Sequence, residues 1–118
     1  MKLGIFKASY ECGINDIRII ECINLKTLYA SGNQKITNVN HLAKLEKIDA
    51  DYECGINEAG IVQCMNLETL NASENPKITT VNHLAKLEML DASLICGIND
   101  AGIVQCINLK SLDAIFNP

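Results

Sequence analysis

Apolar residues recur along the chain in short sets of fixed spacing, and Leu25, Leu28 and Ala30 form the first complete set. The same spacing returns in Leu45, Ile48 and Ala50; Leu67, Leu70 and Ala72; Leu87, Leu90 and Ala92; and Leu109, Leu112 and Ala114, after a shorter instance in Leu3, Phe6 and Ala8. Successive sets begin alternately 22 and 20 residues apart. Alternation of apolar and polar residues is typical of β-strands. The pattern therefore predicts six short parallel strands joined by five arcs.

The whole pattern repeats every 42 residues, because the tetrapeptide Cys-Gly-Ile-Asn begins at Cys12, Cys54 and Cys96. Residues 10–51 and 52–93 are identical at 28 of 42 positions, which recent duplication and deliberate design both produce. One such turn has a single apolar stripe and cannot bury it alone. We therefore predict one domain over residues 1–118, built from three stacked 42-residue double repeats that are incomplete at both ends and lack recognisable caps.

The two kinds of arc predict different local structure. In the 20-residue arcs, Ile36, Val39 and Leu42 recur every third residue, which favours an irregular or 3₁₀-like path. In the 22-residue arcs, a capping residue such as Asn57 precedes an apolar stripe, which predicts one or two turns of helix. Gly60 lies within that segment, and we expect it to weaken the helix.

These motifs resemble the leucine-rich repeat family over essentially the whole chain. The pattern LxxLxAxxNxxIxxVxxLxxL is similar to the internalin-like class, and CGINDAGIxxCxNLxxL resembles a shortened cysteine-containing class. The resemblance implies a right-handed α/β solenoid with a six-stranded parallel concave sheet and short helical or 3₁₀ convex arcs. It implies a binding surface but no particular ligand. Alanine stands where the family usually has the second strand leucine, which implies a closely packed strand layer.

Composition narrows the function classes. The formal net charge is -4 and no long basic run occurs, so we expect no nucleic-acid partner. No stretch of about 18 apolar residues is present to span a bilayer, and residues 1–4 lead directly into repeat sequence instead of a signal peptide. We therefore expect a cytoplasmic protein with no membrane partner.

The six cysteines form two columns that recur once per 42 residues: Cys12, Cys54 and Cys96, and Cys22, Cys64 and Cys106. A catalytic thiol would not need three copies, so we interpret them as buried, reduced structural residues. A disulfide within an arc, such as Cys12 to Cys22, is the main alternative. A zinc site is a weaker one, because the CxxC spacing of structural zinc is absent.

The remaining candidates for chemistry also repeat. His41 and His83 occupy equivalent positions about 10 Å apart in a stack of strands, too far to share a metal, and we interpret them as convex-surface residues. Asn33, Asn75 and Asn117 follow the strand alanines, where buried amides can bond the backbone of neighbouring turns. No Ser/His/Asp set or phosphate loop stands out from the repeats. We predict no enzyme and no cofactor or metal; a reaction at one exposed thiol is the weakest alternative.

Side chains alternate along each strand, so outward residues predict a binding face on the concave sheet. Its candidate residues are Tyr29, Lys47, Asp49, Asp51, Asn71, Met89, Asp91 and Asp113. Asp49, Asp91 and Asp113 make the middle column acidic, and Tyr29 is its single aromatic residue. The face favours a protein or peptide partner, in particular a basic or polar peptide. The alternative is that these residues only keep the sheet soluble.

The terminal strands carry apolar residues where a capping repeat would be polar. They are Ile5 and Phe6 at one end and Ile115 and Phe116 at the other. An open strand edge can pair with another chain, so we expect a homo-oligomer, either a two-fold dimer or a head-to-tail stack. The alternative is a fragment or designed array whose ends play no part in assembly. The sequence thus predicts a non-catalytic binding scaffold, with a self-assembling structural or designed module as the alternative.

Overall fold

The computed structural model describes residues 4–10 and 14–115. Leu3, Cys12, Phe116 and Asn117, which carry predictions above, lie outside these residues. The described chain forms six strands of three residues and three helices of four residues. In order they are β1 Ile5–Lys7, α1 Asp16–Ile19, β2 Thr27–Tyr29, β3 Lys47–Asp49, α2 Glu58–Ile61, β4 Thr69–Asn71, β5 Met89–Asp91, α3 Asp100–Ile103 and β6 Ser111–Asp113. The α/β class and the number of strands agree with the prediction.

The strands form one sheet in chain order, and every neighbouring pair is parallel. The register aligns the central strand residues in one row: Phe6, Leu28, Ile48, Leu70, Leu90 and Leu112. This confirms the phase read from the apolar spacing. Each connection adds one strand beside the last, an arrangement that is compatible with a solenoid.

The core consists of the inward residues of every turn. Leu28, Ile48 and Leu70 are at most 1% exposed, and the strand alanines Ala30 and Ala50 are completely buried. Burying one leucine-sized side chain contributes about 1.5–3 kcal/mol. Leu112 is 46% exposed, because β6 is an edge strand of the described sheet. Burial of a turn therefore depends on having neighbours on both sides.

Buried asparagines connect adjacent turns. Nδ2 of Asn75 donates to the carbonyl oxygens of Ala50 at 2.7 Å and Ile56 at 3.0 Å, and its Oδ1 accepts the N–H of Lys77. Asn33 makes the same three bonds one repeat earlier, to Ala8, Ile14 and Lys35. These bonds satisfy backbone groups enclosed between turns. They confirm the predicted ladder for both described members.

The longer arcs form single helical turns, as the capping residues predict. Asn57 is extended, and its side chain accepts the N–H of Gly60 at 2.8 Å. Asn15 and Asn99 cap α1 and α3 in the same way. In the shorter arcs, the N–H of Leu42 donates to Val39 at 3.0 Å and that of Leu45 donates to Leu42 at 3.1 Å. These isolated turns follow the expected irregular path.

Gly60 allows the helix to touch the preceding arc. A Cβ at Gly60 would lie well inside 3.0 Å of the carbonyl oxygen of Thr37, and Gly102 has the same relation to Thr79. The N–H of Val39 also donates to the carbonyl of Gly60 at 2.9 Å. The packing therefore favours glycine at both positions, because the facing backbone leaves no room for a side chain.

We expect Gly60→Ala to lower the free energy of unfolding by about 1–3 kcal/mol, because the added methyl group must displace the arc at Thr37. Alanine is the better helix former, so propensity alone predicts the opposite sign. Urea denaturation measures the change. Gly4→Ala is the control, since nothing lies within 4 Å of its Cβ position. Equal or greater stability of Gly60→Ala would show that the contact is not needed.

Candidate functional site

The first and third residues of each strand project from the outer face of the sheet. Seven of the eight predicted face residues lie there, each half-buried or exposed: Tyr29, Lys47, Asp49, Asn71, Met89, Asp91 and Asp113. The parallel register places Tyr29, Asp49, Asn71, Asp91 and Asp113 side by side in one column. We call these seven residues the outer face.

Asp51 is a correction to the predicted face. It is only 7% exposed, and Ser73 and Ser93 at equivalent positions are buried too. The alternation of inward and outward side chains does not extend to Asp51. The chain turns at the next residue, Tyr52, which has a left-handed φ of 52°. The carbonyl of Asp51 accepts the N–H groups of Gly32 and Cys54. Asp51 therefore lies inside the strand-exit turn and not on the surface.

The carboxylate of Asp51 is incompletely bonded. Its Oδ2 accepts Nδ2 of Asn71 at 3.3 Å, whereas its buried Oδ1 has no hydrogen-bond partner among the described residues. Serine occupies the equivalent position in other turns, and the hydroxyl of Ser73 donates to the carbonyl of Ser93 at 3.3 Å. Asp51 thus places a charge where a hydroxyl would satisfy the local hydrogen bonding.

The acids of the middle column are not equivalent. Asp91 accepts the N–H of Ser93 at 3.0 Å, and Asp113 accepts the hydroxyl of Ser93 at 3.0 Å. These two carboxylates help to close the strand-exit turns. In contrast, no described residue donates a hydrogen bond to the carboxylate of Asp49. Burial, and then the negative charge of Asp51, raise the pKa of Asp49, whereas Lys47 lowers it.

The amino-terminal half of the outer face carries cationic and aromatic groups. Nζ of Lys47 lies 5.4 Å from the centroid of the Tyr29 ring, a cation–π distance. One shallow depression is lined by Lys7, Ser9, Tyr29 and Asp49. A second continues across β3 to β6 and is lined by Lys47, Asp49, Thr69, Leu70, Asn71, Met89, Leu90, Asp91, Ser111 and Asp113. Asp49 borders both depressions, so it lies where the cationic and the acidic parts of the outer face meet.

Exposed apolar residues on the arc side form a second surface, which the sequence analysis missed. Ile23, Met65 and Ile107 hold equivalent positions in the 22-residue arcs and are 52% to 88% exposed. Ala43 and Ala85 hold the corresponding exposed positions of the 20-residue arcs. Repeated exposed apolar residues are typical of contact surfaces. The signal in the sequence was an apolar residue two places before each first strand leucine.

The predicted self-association residues differ in their surroundings. Ile5 and Ile115 are about equally exposed, at 58% and 59%. Phe6 is partly buried and packs against the core, because it lies in the inward row beside Leu28. Phe116 lies outside the described residues. Among the described strands, β1 and β6 each pair on one side only.

The five described cysteines are buried, as predicted. Cys54, Cys64, Cys96 and Cys106 are free thiols, and Sγ of Cys64 and Cys106 donates to the carbonyls of Val39 and Val81 one turn earlier. Burial raises the pKa of Cys54 and of Cys64 to about 11. These thiols act as small core residues that face away from solvent.

The histidines lie on the arcs, His41 exposed and His83 half-buried. Burial lowers the pKa of His83, although the nearby Glu58 opposes this shift. Among residues 4–10 and 14–115, no group of three or more His, Cys, Asp or Glu side chains is placed to hold a metal ion. None of the described helices has the length and apolar character needed to cross a bilayer.

Comparison of the chain with models of known protein families gives no match, and neither does comparison with curated protein sequences.

We expect Cys54 and Cys64 to react with iodoacetamide about a hundredfold more slowly in the native protein than in the unfolded chain. At about pH 8, a pKa near 11 leaves about a hundredfold less thiolate than the ordinary value of 9.0. Mass spectrometry of alkylated peptides measures each rate, with the protein in urea as control. Equal rates in the two states would contradict burial of these thiols.

The same shifts predict a loss of stability in alkali. Because the folded pKa exceeds the unfolded one, the contribution is complete below about pH 9 and disappears toward about pH 11. In this window the unfolded chain binds fewer thiol protons than the native protein. Urea midpoints should therefore fall across it, and the fall should be smaller in the Cys54→Ala/Cys64→Ala variant.

Proposed function

We propose that this chain is a leucine-rich-repeat solenoid that binds a protein or peptide on its outer face and catalyses no reaction. The alternation of 22- and 20-residue turns and the in-register parallel sheet support this reading. Neighbouring strands lie about 4.8 Å apart, which is closer than neighbouring arcs can pack. The strand side of the stack is therefore the shorter one, which favours a sheet that curves inward. Parallel crossover connections are right-handed in nearly all proteins. We therefore propose a right-handed solenoid whose concave surface is the outer face, with residues 1–118 forming one domain.

The observation that carries the proposal is the contrast between the two sides of the sheet. The inward row is apolar and is buried from β2 to β5, whereas the outer face combines Tyr29, Lys47 and a column of carboxylates. Packing fixes the inward residues, but it does not require this mixture on the outside. Asp91 and Asp113 accept hydrogen bonds from Ser93 and still lie on the outer face. A peptide that contains basic residues is the complementary partner.

The chemistry of the thiols suggests where the protein acts. Four described cysteines are free and buried, and thiols persist in reducing compartments. We therefore propose that the protein acts in the cytoplasm.

Panning a random peptide library on the protein should enrich peptides that contain Lys or Arg. The variant Asp49→Asn/Asp91→Asn/Asp113→Asn should bind a selected peptide at least about tenfold more weakly, equivalent to about 1.4 kcal/mol. Asparagine keeps the oxygen that accepts the turn hydrogen bonds, so the fold is preserved. Higher salt should also weaken binding, because screening reduces attraction between exposed charges. Isothermal titration calorimetry measures the affinities.

Asp100→Asn is the control for the location of the charge, because it removes one carboxylate from α3 and none from a strand. It should leave the affinity unchanged. Selected peptides without basic residues, or equal binding by the triple variant, would show that the acidic column does not select the partner.

A second candidate function is self-assembly through the edge strands. It is favoured by the carboxyl-terminal edge of the described sheet, where a depression is lined by apolar residues that include Ala92, Ile98, Ile103 and Leu112. Ile115, two residues after β6, is 59% exposed. An added strand would cover this apolar surface and pair the open backbone edge.

If assembly is the function, the sedimentation coefficient should rise with protein concentration. The variant Ile5→Lys/Ile115→Lys should remain monomeric at concentrations where the unmodified protein associates. Met65→Lys is the matched control, because it places the same charge on an exposed apolar residue away from the edge strands. A monomer at every concentration would reject assembly. Loss of association in the Met65→Lys control alone would show that the exposed apolar residues of the arcs make the contact instead.

A further inference from the structure

A row of residues follows the carboxyl ends of the strands, with one member in each of the first five turns. The row consists of Tyr10, Gly32, Tyr52, Glu74 and Leu94, and we call it the exit rim. The backbone N–H of each member donates to a carbonyl of the next turn, for example that of Tyr10 to Ser31 at 2.6 Å and that of Tyr52 to Ser73 at 3.0 Å. The rim residues are therefore held in line, one turn apart.

All five rim residues have a left-handed backbone, with φ between 52° and 68°. Glycine adopts this conformation readily, as at Gly32, whereas a bulky side chain adopts it at a cost in free energy. Tyr10 and Tyr52 are 57% and 50% exposed, so burial offsets only part of that cost. Gly32 also shows that the fold does not need an aromatic side chain at this position. The two exposed tyrosines therefore point to a contact outside the chain.

The first tyrosine of the rim borders a depression that is open to solvent. Tyr10 forms part of its lining together with Gly32, Gln34 and Lys35. Cδ1 of Tyr10 lies 2.5 Å from the position that a Cβ of Gly32 would take, so the ring rests on the glycine backbone. Gln34 and Lys35 are exposed, and with the tyrosine hydroxyl they offer hydrogen-bond donors beside the ring. The rim thus combines aromatic surface, a recess without a side chain and nearby donors.

The spacing of the two tyrosines matches the repeat of a polyproline II helix. Tyr10 and Tyr52 are two turns apart, which is about 9.6 Å when neighbouring strands lie about 4.8 Å apart. A polyproline II helix has three residues per turn and rises about 3.1 Å per residue, so every third residue returns to the same edge after about 9.3 Å. Leu94 continues the row two turns beyond Tyr52. Such a helix can therefore place every third residue on a large side chain of the rim.

We propose that the exit rim binds a proline-rich segment of a partner protein in the polyproline II conformation. Prolines at every third position stack on the rings of Tyr10 and Tyr52, and both kinds of ring lose little conformational freedom on contact. The carbonyl groups of such a helix have no internal hydrogen bonds, so they can accept them from the tyrosine hydroxyls, Gln34 and Lys35. This surface does not include the carboxylates of the outer face, so the inference goes beyond the proposed function.

The probe is the heptapeptide Pro-Gln-Gln-Pro-Gln-Gln-Pro with blocked ends, which carries no charge. Its control, Pro-Gln-Pro-Gln-Pro-Gln-Gln, has the same composition but no two prolines three residues apart. The chain contains three tyrosines, so NMR spectra of isotope-labelled tyrosine rings report on each one separately. The probe should produce saturable shifts of the Tyr10 and Tyr52 signals, the control peptide should produce none, and Tyr29 on the outer face should not respond. Equal responses to the two peptides, or a response of one ring alone, would overturn the proposal.

Tyr52→Asn separates binding from folding, because asparagine adopts a left-handed φ more readily than tyrosine does. We expect its affinity for the probe to fall at least about tenfold, while its urea midpoint stays the same or rises. Tyr29→Asn is the matched control, since it removes the same ring from the outer face, and it should bind the probe as the unmodified protein does. Unchanged affinity of Tyr52→Asn would overturn the proposal. A lower urea midpoint would also overturn it, because Tyr52 would then be required by the fold.

A further variant distinguishes the exit rim from the outer face. Asp49→Asn/Asp91→Asn/Asp113→Asn should bind the uncharged probe with unchanged affinity, and loss of binding in this variant would overturn the assignment to the rim. If the probe does not bind while basic peptides bind the outer face, the inference is wrong and the proposed function stands.

Discussion

Mutual burial of apolar stripes between successive turns is the interaction on which this structure depends. A turn of 20 or 22 residues cannot enclose its own inward side chains, so each needs the turns before and after it. Leu28 and Leu70, in inner strands, are buried, whereas Leu112 in the edge strand β6 remains half exposed in the same row. Stability is therefore shared between neighbours, and it is weakest at an edge with one neighbour.

Close stacking also dictates which small and polar residues the turns contain. Ala50 is completely buried directly after β3, and Gly60 brings a helix backbone against the arc at Thr37. Backbone groups enclosed by such contacts have no access to water and must be bonded within the protein. Asn75 supplies two donors and one acceptor at this place. Packing and hydrogen bonding therefore both require the same close distance between neighbouring turns.

Because the stack determines the inward positions, variation between repeats is concentrated elsewhere. The column that contains Tyr29, Asp49 and Asn71 changes residue type from strand to strand while the row behind it stays apolar. Asp51 is different, since it varies at a buried position and introduces a charge there.

The sequence alone determined the six strands, their order, the register of Leu28 with Ile48 and Leu70, and the helical turn after Asn57. Such features follow from apolar spacing and capping residues, which are local properties of the chain. Only the tertiary structure decided the burial of Asp51, the contact of Gly60 with the arc at Thr37 and the exposure of Met65. Each depends on the position of a neighbouring turn about twenty residues away. The residue pattern within a single turn does not show where that neighbour lies.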